Sequence, residues 1–164
     1  MRRAMICLLA AVPMIAMADV SQKPGLWEIT VTIHPGAGMP ELPPEALALM
    51  EQAGLQNPFK AMTRQVCVTP DQVKQGAVPA FQDADSGCEV KNGHRKGDVI
   101  TADFSCNGEI KGQGDMKTTL TSPTTYVGDS RFSGTSAEGM DLNMTTDFTG
   151  KWLAASCGNV QSIQ

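Results

Sequence analysis

Residues 26–34 read LWEITVTIH, and from Trp27 onward apolar and polar side chains alternate at every position. The apolar side chains of one face are Trp27, Ile29, Val31 and Ile33, and the opposite face carries Glu28, Thr30, Thr32 and His34. A period of two is typical of a β-strand with one buried and one solvated face. The stretch therefore predicts a half-buried strand near the start of the folded domain.

The second half of the chain consists of short strand patterns separated by turn residues. The run 98–106 alternates, and so does the run 140–148, in which the residues of one face are Met140, Leu142, Met144, Thr146 and Phe148. Asn92-Gly93 and Gly128-Asp129 are typical of tight turns between strands. Strands at this spacing predict an antiparallel meander.

Two glycines, Gly112 and Gly114, lie inside one of these strand patterns. Glycines in a strand favour β-bulges or sharp bends of the sheet. The predicted fold is therefore mainly β, with an antiparallel meander that forms a curved sheet or open barrel rather than a flat sheet.

One or two short helices are predicted in the N-terminal half. Apolar residues recur at helical spacing over 46–53 and stop at Gly54. After a second strand at 63–68, Thr69 is a good N-cap, proline follows it, and Gln72 stands three residues on. Gly76 is the predicted end of that helix.

The first 18 residues have the composition of an export signal. Arg2 and Arg3 precede an almost wholly apolar stretch, residues 4–15, and Ala16-Met17-Ala18 supplies the small residues of a cleavage site. The apolar stretch is shorter than the roughly 20 residues of a membrane-spanning helix. Residues 1–18 are therefore predicted to be a signal peptide, and residues 19–164 a single β domain in the periplasm without a transmembrane segment. Secretion is the alternative location.

Four cysteines follow the signal: Cys67, Cys88, Cys106 and Cys157. An even number in an exported chain predicts two disulfides, and spacing alone leaves three connectivities open. The favoured pairing is sequential, Cys67 with Cys88 and Cys106 with Cys157. No Cys-x-x-Cys pair is present and the two histidines stand apart, so no metal site is expected.

The charge of the chain argues against several classes of partner. There are 17 Asp and Glu residues against 13 Lys and Arg, and removal of Arg2 and Arg3 with the signal makes the balance more negative. The longest basic cluster is His94-Arg95-Lys96. Nucleic acid and anionic lipid surfaces are therefore not expected as partners.

The sequence has no recognisable catalytic motif: no Gly-x-Ser-x-Gly, no His-Glu-x-x-His and no phosphate-binding loop. Asp103 and Asp115 fall on the polar faces of neighbouring strands, where solvated acids are commoner than a catalytic pair. His34 and His94 are interpreted as surface residues in the same way. The sequence favours a protein that is not an enzyme and has no cofactor.

Several short motifs, taken in order, resemble a known family. They are Lys23-Pro24-Gly25-Leu26-Trp27-Glu28-Ile29, Val66-Cys67-Val68-Thr69-Pro70, a second cysteine at Cys88, the run from Val99 to Cys106, and the run from Gly150 to Cys157. The chain is similar in these features to the uncharacterised bacterial family called domain of unknown function 3617. The resemblance covers nearly all residues after the signal. It implies a small periplasmic or outer-envelope protein with no assigned activity.

A curved sheet with an apolar concave face can bind small apolar molecules. The residues predicted to line such a site are Trp27, Ile29, Phe104, Leu142 and Met144. Met144 shares a strand face with Met140, and two thioethers can hold Cu(I), but packing in the core is the favoured role of these methionines.

The expected function is that of an exported, non-enzymatic envelope protein that binds a small hydrophobic ligand, lipid or peptide. The alternative is a surface interaction or stability factor for another envelope protein. In either case the Pro-rich and helical insertion at residues 39–59 would act as a lid or as a partner-binding segment, because its apolar residues exceed what an isolated short helix can bury.

Overall fold

The computed structural model describes residues 20–36, 42–55, 57, 59–75 and 87–162. The signal segment and Gly76 lie outside the described residues. Within them the chain forms seven strands and two short helices. Their bounds are β1 Gly25–Pro35, α1 Pro44–Gln52, β2 Met62–Val68, α2 Pro70–Lys74, β3 Cys88–Lys96, β4 Val99–Asn107, β5 Ile110–Ser122, β6 Thr125–Ser136 and β7 Asp141–Ala154.

All seven strands belong to one antiparallel sheet with the order β2-β1-β7-β6-β5-β4-β3. Strands β3 to β7 follow one another as a meander, and β1 lies between β7 and β2. The outer strands β2 and β3 do not pair with each other, so the sheet is open. The predicted mainly β fold, its antiparallel meander and the two N-terminal helices are confirmed.

The sheet has two ends, which we name by β1. The proximal end is where β1 begins at Gly25, β2 ends at Val68 and β7 ends at Ala154; the distal end is where β1 ends at Pro35 and β7 begins at Asp141. No helix among the described residues is long and apolar enough to cross a membrane.

One face of the sheet, the inner face, carries the buried apolar residues, which come from every strand except β3. They are Trp27, Ile29, Val66, Val68, Ile100, Ala102, Phe104, Cys106, Met116, Leu120, Tyr126, Phe132 and Phe148. Neither described helix contributes a buried residue. Val20 of the N-terminal segment and Val73 of α2 nevertheless pack, partly buried, against the part of this face around Trp27.

Aromatic rings on the inner face lie over glycines of the neighbouring strand. Tyr126 is directly opposite Gly150, and a Cβ on that glycine would stand 2.1 Å from the tyrosine ring. Gly128 is directly opposite Phe148, and a Cβ on this glycine would stand 2.3 Å from the phenylalanine ring. Any side chain at these glycines would displace a buried ring.

The strand glycines of β5 serve the same purpose and are not bulges. Gly114 lies opposite Phe104, and a Cβ on Gly114 would stand 2.3 Å from the Phe104 ring. A Cβ on Gly112 would stand 2.7 Å from the Phe132 ring. The pairing register of β5 with both neighbours is regular at both glycines. The expected bulges are therefore absent here; the glycines make room for rings on a curved sheet.

Two predicted turns were wrong. Asn92-Gly93 lies within β3, where the register shifts between Lys91 and His94 and Asn92 has a φ of 50°. Asparagine tolerates this left-handed conformation in a bulge as well as in a turn. The hairpin turn comes later, at Gly97, which has a φ of 60°. Gly128-Asp129 lies in the middle of β6, because Gly128 accommodates the Phe148 ring.

The local signals around the first two strands were correct. The predicted first strand is β1, and the run 63–68 lies within β2. At α2 the capping box forms as expected: the Thr69 hydroxyl accepts from the Gln72 amide at 3.2 Å, and the Thr69 amide donates to the Gln72 side chain at 2.8 Å. Two orphan amides of the helix start are thereby satisfied.

The disulfides join Cys67 to Cys157 and Cys88 to Cys106, so the sequential pairing was wrong. Cys88 and Cys106 are directly opposite residues of β3 and β4. Because β1 is shared by β2 and β7, the end of β7 comes close to β2, and Cys157 follows it there. The chain then passes along β2, where Ser162 bridges Cys67.

We expect the two disulfides to stabilise the fold unequally. In the chain-entropy description, the Cys67–Cys157 link across 90 residues contributes about 4.6 kcal/mol and the Cys88–Cys106 link across 18 residues about 3.2 kcal/mol. Denaturant unfolding of C67A/C157A and of C88A/C106A should therefore show the larger loss of unfolding free energy in the first. A larger loss in the second, or peptide mapping that links Cys67 to Cys88, would contradict this assignment.

Candidate ligand-binding site

The five residues predicted to line a binding site fall into two separate clusters. Trp27 and Ile29 are fully buried in a cluster at the proximal end. Phe104 belongs to a second cluster, at the distal end, and Leu142 and Met144 pack against it while only half-buried. The structure thus brings three of the five residues together. Period-two alternation shows which face a residue occupies, but not which end of the sheet it lies near.

The N-terminal segment closes the proximal end. The Val20 amide donates to the Asp98 carboxylate at 2.8 Å, and the Arg95 guanidinium donates to the Val20 carbonyl. Further along, the Lys23 amide donates to the Pro123 carbonyl at 3.0 Å, and its carbonyl accepts from the Trp27 indole at 2.8 Å. Trp27 is therefore a core residue that also anchors the segment crossing this end.

Tyr126 fills the centre of the proximal cluster. Its ring centroid is 5.4 Å from that of Trp27, and its hydroxyl is buried without a hydrogen-bond partner in the described structure. Burial raises the pKa of Tyr126, and the positive charge of Arg64 opposes this only in part. The side chain acts as an apolar core residue, and the hydroxyl stays protonated.

The distal end carries two nearly parallel phenylalanine rings, Phe104 and Phe132, which we call the distal floor. Phe104 on β4 and Phe132 on β6 both lie directly opposite Gly114 of β5. Their ring centroids are 6.1 Å apart, and the angle between the ring planes is 12°. Both rings lie close against strand glycines. The surrounding apolar groups are half-buried: Ile110, Leu142, Met144 and Cys88 of the Cys88–Cys106 disulfide.

Two strongly exposed apolar side chains lie beside this cluster, and two more lie in the connection that leaves the sheet here. Val90, opposite Phe104, is 42% exposed, and Met140, just before β7, is 57% exposed. Leu49 and Leu55 are 65% and 58% exposed. They belong to the connection between β1 and β2, which leaves the sheet at its distal end after Pro35 and re-enters it at Met62.

Helix α1 does not bury its apolar side chains on the sheet. Leu47 and Met50 are half-buried, and no residue of the helix is buried. The insertion was expected to pack on the sheet or on a partner. Among its described residues, Leu49 and Leu55 remain available for contact with something else.

Sequence reasoning did not assign Phe132, Ile110 or Val90 to the site. Phe132 has polar neighbours on both sides in its strand, so the sequence indicates that it lies on the apolar face of the sheet. Its position beside Phe104 was not, because the two are linked only through the register of β5 with both β4 and β6.

The polar residues considered as catalytic candidates lie on the opposite, outer face. Asp103 is directly opposite Asp115, as expected, and both are exposed. His34 Nε2 lies 2.9 Å from Asp147 Oδ2 on the surface, and His94 is exposed on β3. Within the described residues, no group of three or more His, Cys, Asp or Glu side chains is placed to hold a metal ion.

Comparison with known proteins agrees with the motifs seen in the sequence. Residues 22–157 match the family described as "Protein of unknown function (DUF3617)". The chain belongs to this family. The range matched by DUF3617 contains all the described strands and helices and both disulfides, so the whole described sheet lies within the matched region.

One curated relative of this DUF3617 chain is described as an uncharacterized protein in the lpd-3 5′ region of Pseudomonas putida. It is 34% identical over 114 residues, which cover 61% of this chain and 78% of the relative. No solved structure matches the chain.

Replacing Tyr126 by phenylalanine should be neutral or stabilising at neutral pH, because the lost hydroxyl has no partner. Above about pH 10 an unfolded tyrosine ionises, whereas the buried one stays protonated, so the wild type loses stability as pH rises and Y126F loses less. Denaturant unfolding at neutral and alkaline pH measures the difference. Tyr126 is the sole tyrosine, so tyrosinate absorbance of the folded protein reports it alone. Titration of the native protein near the ordinary tyrosine pKa would contradict its burial.

Proposed function

We propose that this DUF3617 protein is an exported, non-enzymatic binding protein of the cell envelope. Its ligand is a small hydrophobic molecule, a lipid chain or an apolar peptide segment, bound at the distal end of the sheet. The observation that carries the proposal is the difference between the two ends. Among the described residues the proximal cluster has eight buried members, whereas the distal cluster has only three and is bordered by four half-buried apolar residues.

The distal surface has the composition of a site for an apolar chain. The Phe104 and Phe132 rings supply a floor, and Leu142, Met144 and Ile110 surround it with flexible aliphatic and thioether groups. Contiguous apolar surface that water can reach is unfavourable and commonly marks a binding site. A ligand that covers these half-buried groups would gain the free energy of removing them from water.

The connection that carries α1 is placed to cover such a ligand. It begins after Pro35 at the distal end and returns at Met62, which pairs with Val31 of β1, and two of its leucines are exposed. A nine-residue helix is marginally stable in water without a docking surface. An apolar ligand between the floor and α1 would bury both apolar surfaces at once.

The cysteines support an extracytoplasmic location. Both disulfides link strands or strand ends of the same sheet, and disulfides form and persist in oxidising compartments such as the periplasm. The signal-like composition of residues 1–18 supports the same location.

Exposure of Leu49 and Leu55 also favours a second candidate function, contact with another envelope protein. In that case α1 would pack on the partner, and the distal floor would not be occupied by a small molecule.

Binding of dodecanoate to the oxidised protein tests the proposal. Leu142→Lys places a charge among the half-buried distal residues, and Leu153→Lys makes the same change on the outer face of the same strand. We expect L142K to weaken binding about tenfold or more, as for loss of one well-buried aliphatic contact, and L153K to leave it unchanged. Calorimetric titration gives the affinities, and circular dichroism verifies that both variants fold.

Absence of saturable dodecanoate binding by the wild type, or equal affinities of L142K and L153K, would contradict a distal ligand site. The second candidate function expects no dodecanoate binding. It expects instead an envelope protein that is retained by the wild type and released by L49D/L55D.

A further inference from the structure

The outer face of the sheet carries a polar groove that the proposed function does not use. Its main part has a volume of about 620 Å³ and continues into a second part of about 420 Å³. The two parts share Asn92, Asp103, Asp115 and Arg131. The groove runs over β3, β4, β5 and β6. Polar residues of the outer face make up most of its lining, and Phe104 and Phe132 also border it. Its size suits a small polar ligand of several functional groups.

The groove is crossed by a row of four charged residues. Lys91 is opposite Asp103, Asp103 is opposite Asp115, and Asp115 is opposite Arg131 in the pairing of β3 to β6. The charges along the row are therefore positive, negative, negative and positive. Two carboxylates directly opposite each other repel, so this arrangement destabilises the sheet unless a cation lies between or above them.

The charges in this row are poorly neutralised by the chain. Asp115 and Arg131 face each other on neighbouring strands, but neither forms an ion pair within the described residues. Asp103 accepts one hydrogen bond from the Asn92 side chain at 2.9 Å, and the Lys91 ammonium lies 3.6 Å from Glu89, outside the row. The Ser105 hydroxyl, which also lines the groove, is hidden from solvent and has no hydrogen-bond partner in the described structure.

A ligand with an ammonium group and a carboxylate would complement this row. The ammonium would lie at Asp103 and Asp115, and the carboxylate would lie at Arg131, whose guanidinium can bind it through two hydrogen bonds. Neighbouring strands are about 4.8 Å apart, and two extended residues span at most about 7 Å. The two charged ends of a dipeptide therefore match the spacing from the carboxylates to Arg131.

We propose that the outer groove binds a short zwitterionic peptide, with its amino terminus at Asp103 and Asp115 and its carboxyl terminus at Arg131. The charged residues of this site take no part in the distal apolar site, so the proposal does not require the proposed function to be correct.

Titration of dialanine into the isotopically labelled, oxidised protein tests the site by NMR. The wild type should show saturable amide shifts confined to the groove strands, β3 to β6. Asp115→Asn and Arg131→Gln should each weaken binding about two- to fivefold, as expected for exposed ion pairs. Asp141→Asn is the matched control: it removes one negative charge from the outer face at an exposed residue outside the groove, and it should leave the affinity unchanged.

Blocked peptides assign the two ends of the ligand. N-acetyl-dialanine lacks the ammonium group, so it should bind more weakly than dialanine and D115N should weaken it no further. Dialanine amide lacks the carboxylate, and R131Q should have no additional effect on it. The site is overturned if dialanine gives no saturable shifts, if D141N weakens binding as much as D115N, or if the blocked peptides bind as well as dialanine.

Discussion

The packing of aromatic rings over glycines of the adjacent strand is the constraint on which the rest of this structure depends. Tyr126 lies over Gly150, Phe148 over Gly128 and Phe104 over Gly114. Each ring takes the space that a side chain on the next strand would need, and its packing compensates for the missing side chain. Aromatic residues make up only 5% of the chain. A few rings can nevertheless fill the inner face, because they alternate with glycines across the strands.

The difference between the two ends of the sheet follows from what lies above these rings. At the proximal end the N-terminal segment crosses the sheet, and the Cys67–Cys157 disulfide ties the segment after β7 to β2. At the distal end the rings of Phe104 and Phe132 are bordered by half-buried aliphatic groups. The same type of packing therefore gives a structural core at one end and a candidate binding surface at the other.

The sequence predicted the features that depend on neighbouring residues. The alternation in β1 and the capping box of α2 are local patterns, and both occur as expected. Features that depend on strand order were missed. The disulfide pairing could not be derived from spacing, because it requires β1 to lie between β2 and β7.

The glycines and the binding residues were misjudged for related reasons. Gly112 and Gly114 were expected to mark β-bulges or sharp bends. No register shift occurs at either, and their role is set by the phenylalanines on neighbouring strands, which only the register reveals. Likewise, alternation placed Trp27 and Phe104 on the same face correctly, but they lie in clusters at opposite ends. Asn92-Gly93 shows the same limit, because a left-handed asparagine fits a bulge within a strand as well as a turn.

The energetic coupling between Tyr126 and Gly150 tests this account most directly. Gly150→Ala should reduce the free energy of unfolding by about 1–3 kcal/mol, as overpacking of a core does, because the new methyl group meets the buried ring. In a Tyr126→Val background the same change should cost little or nothing, since the ring is gone. Gly93→Ala, where no atom lies within 4 Å of the added carbon, is the control. Equal costs of G150A in both backgrounds, or a cost no greater than that of G93A, would contradict the claim that rings over glycines hold the sheet together.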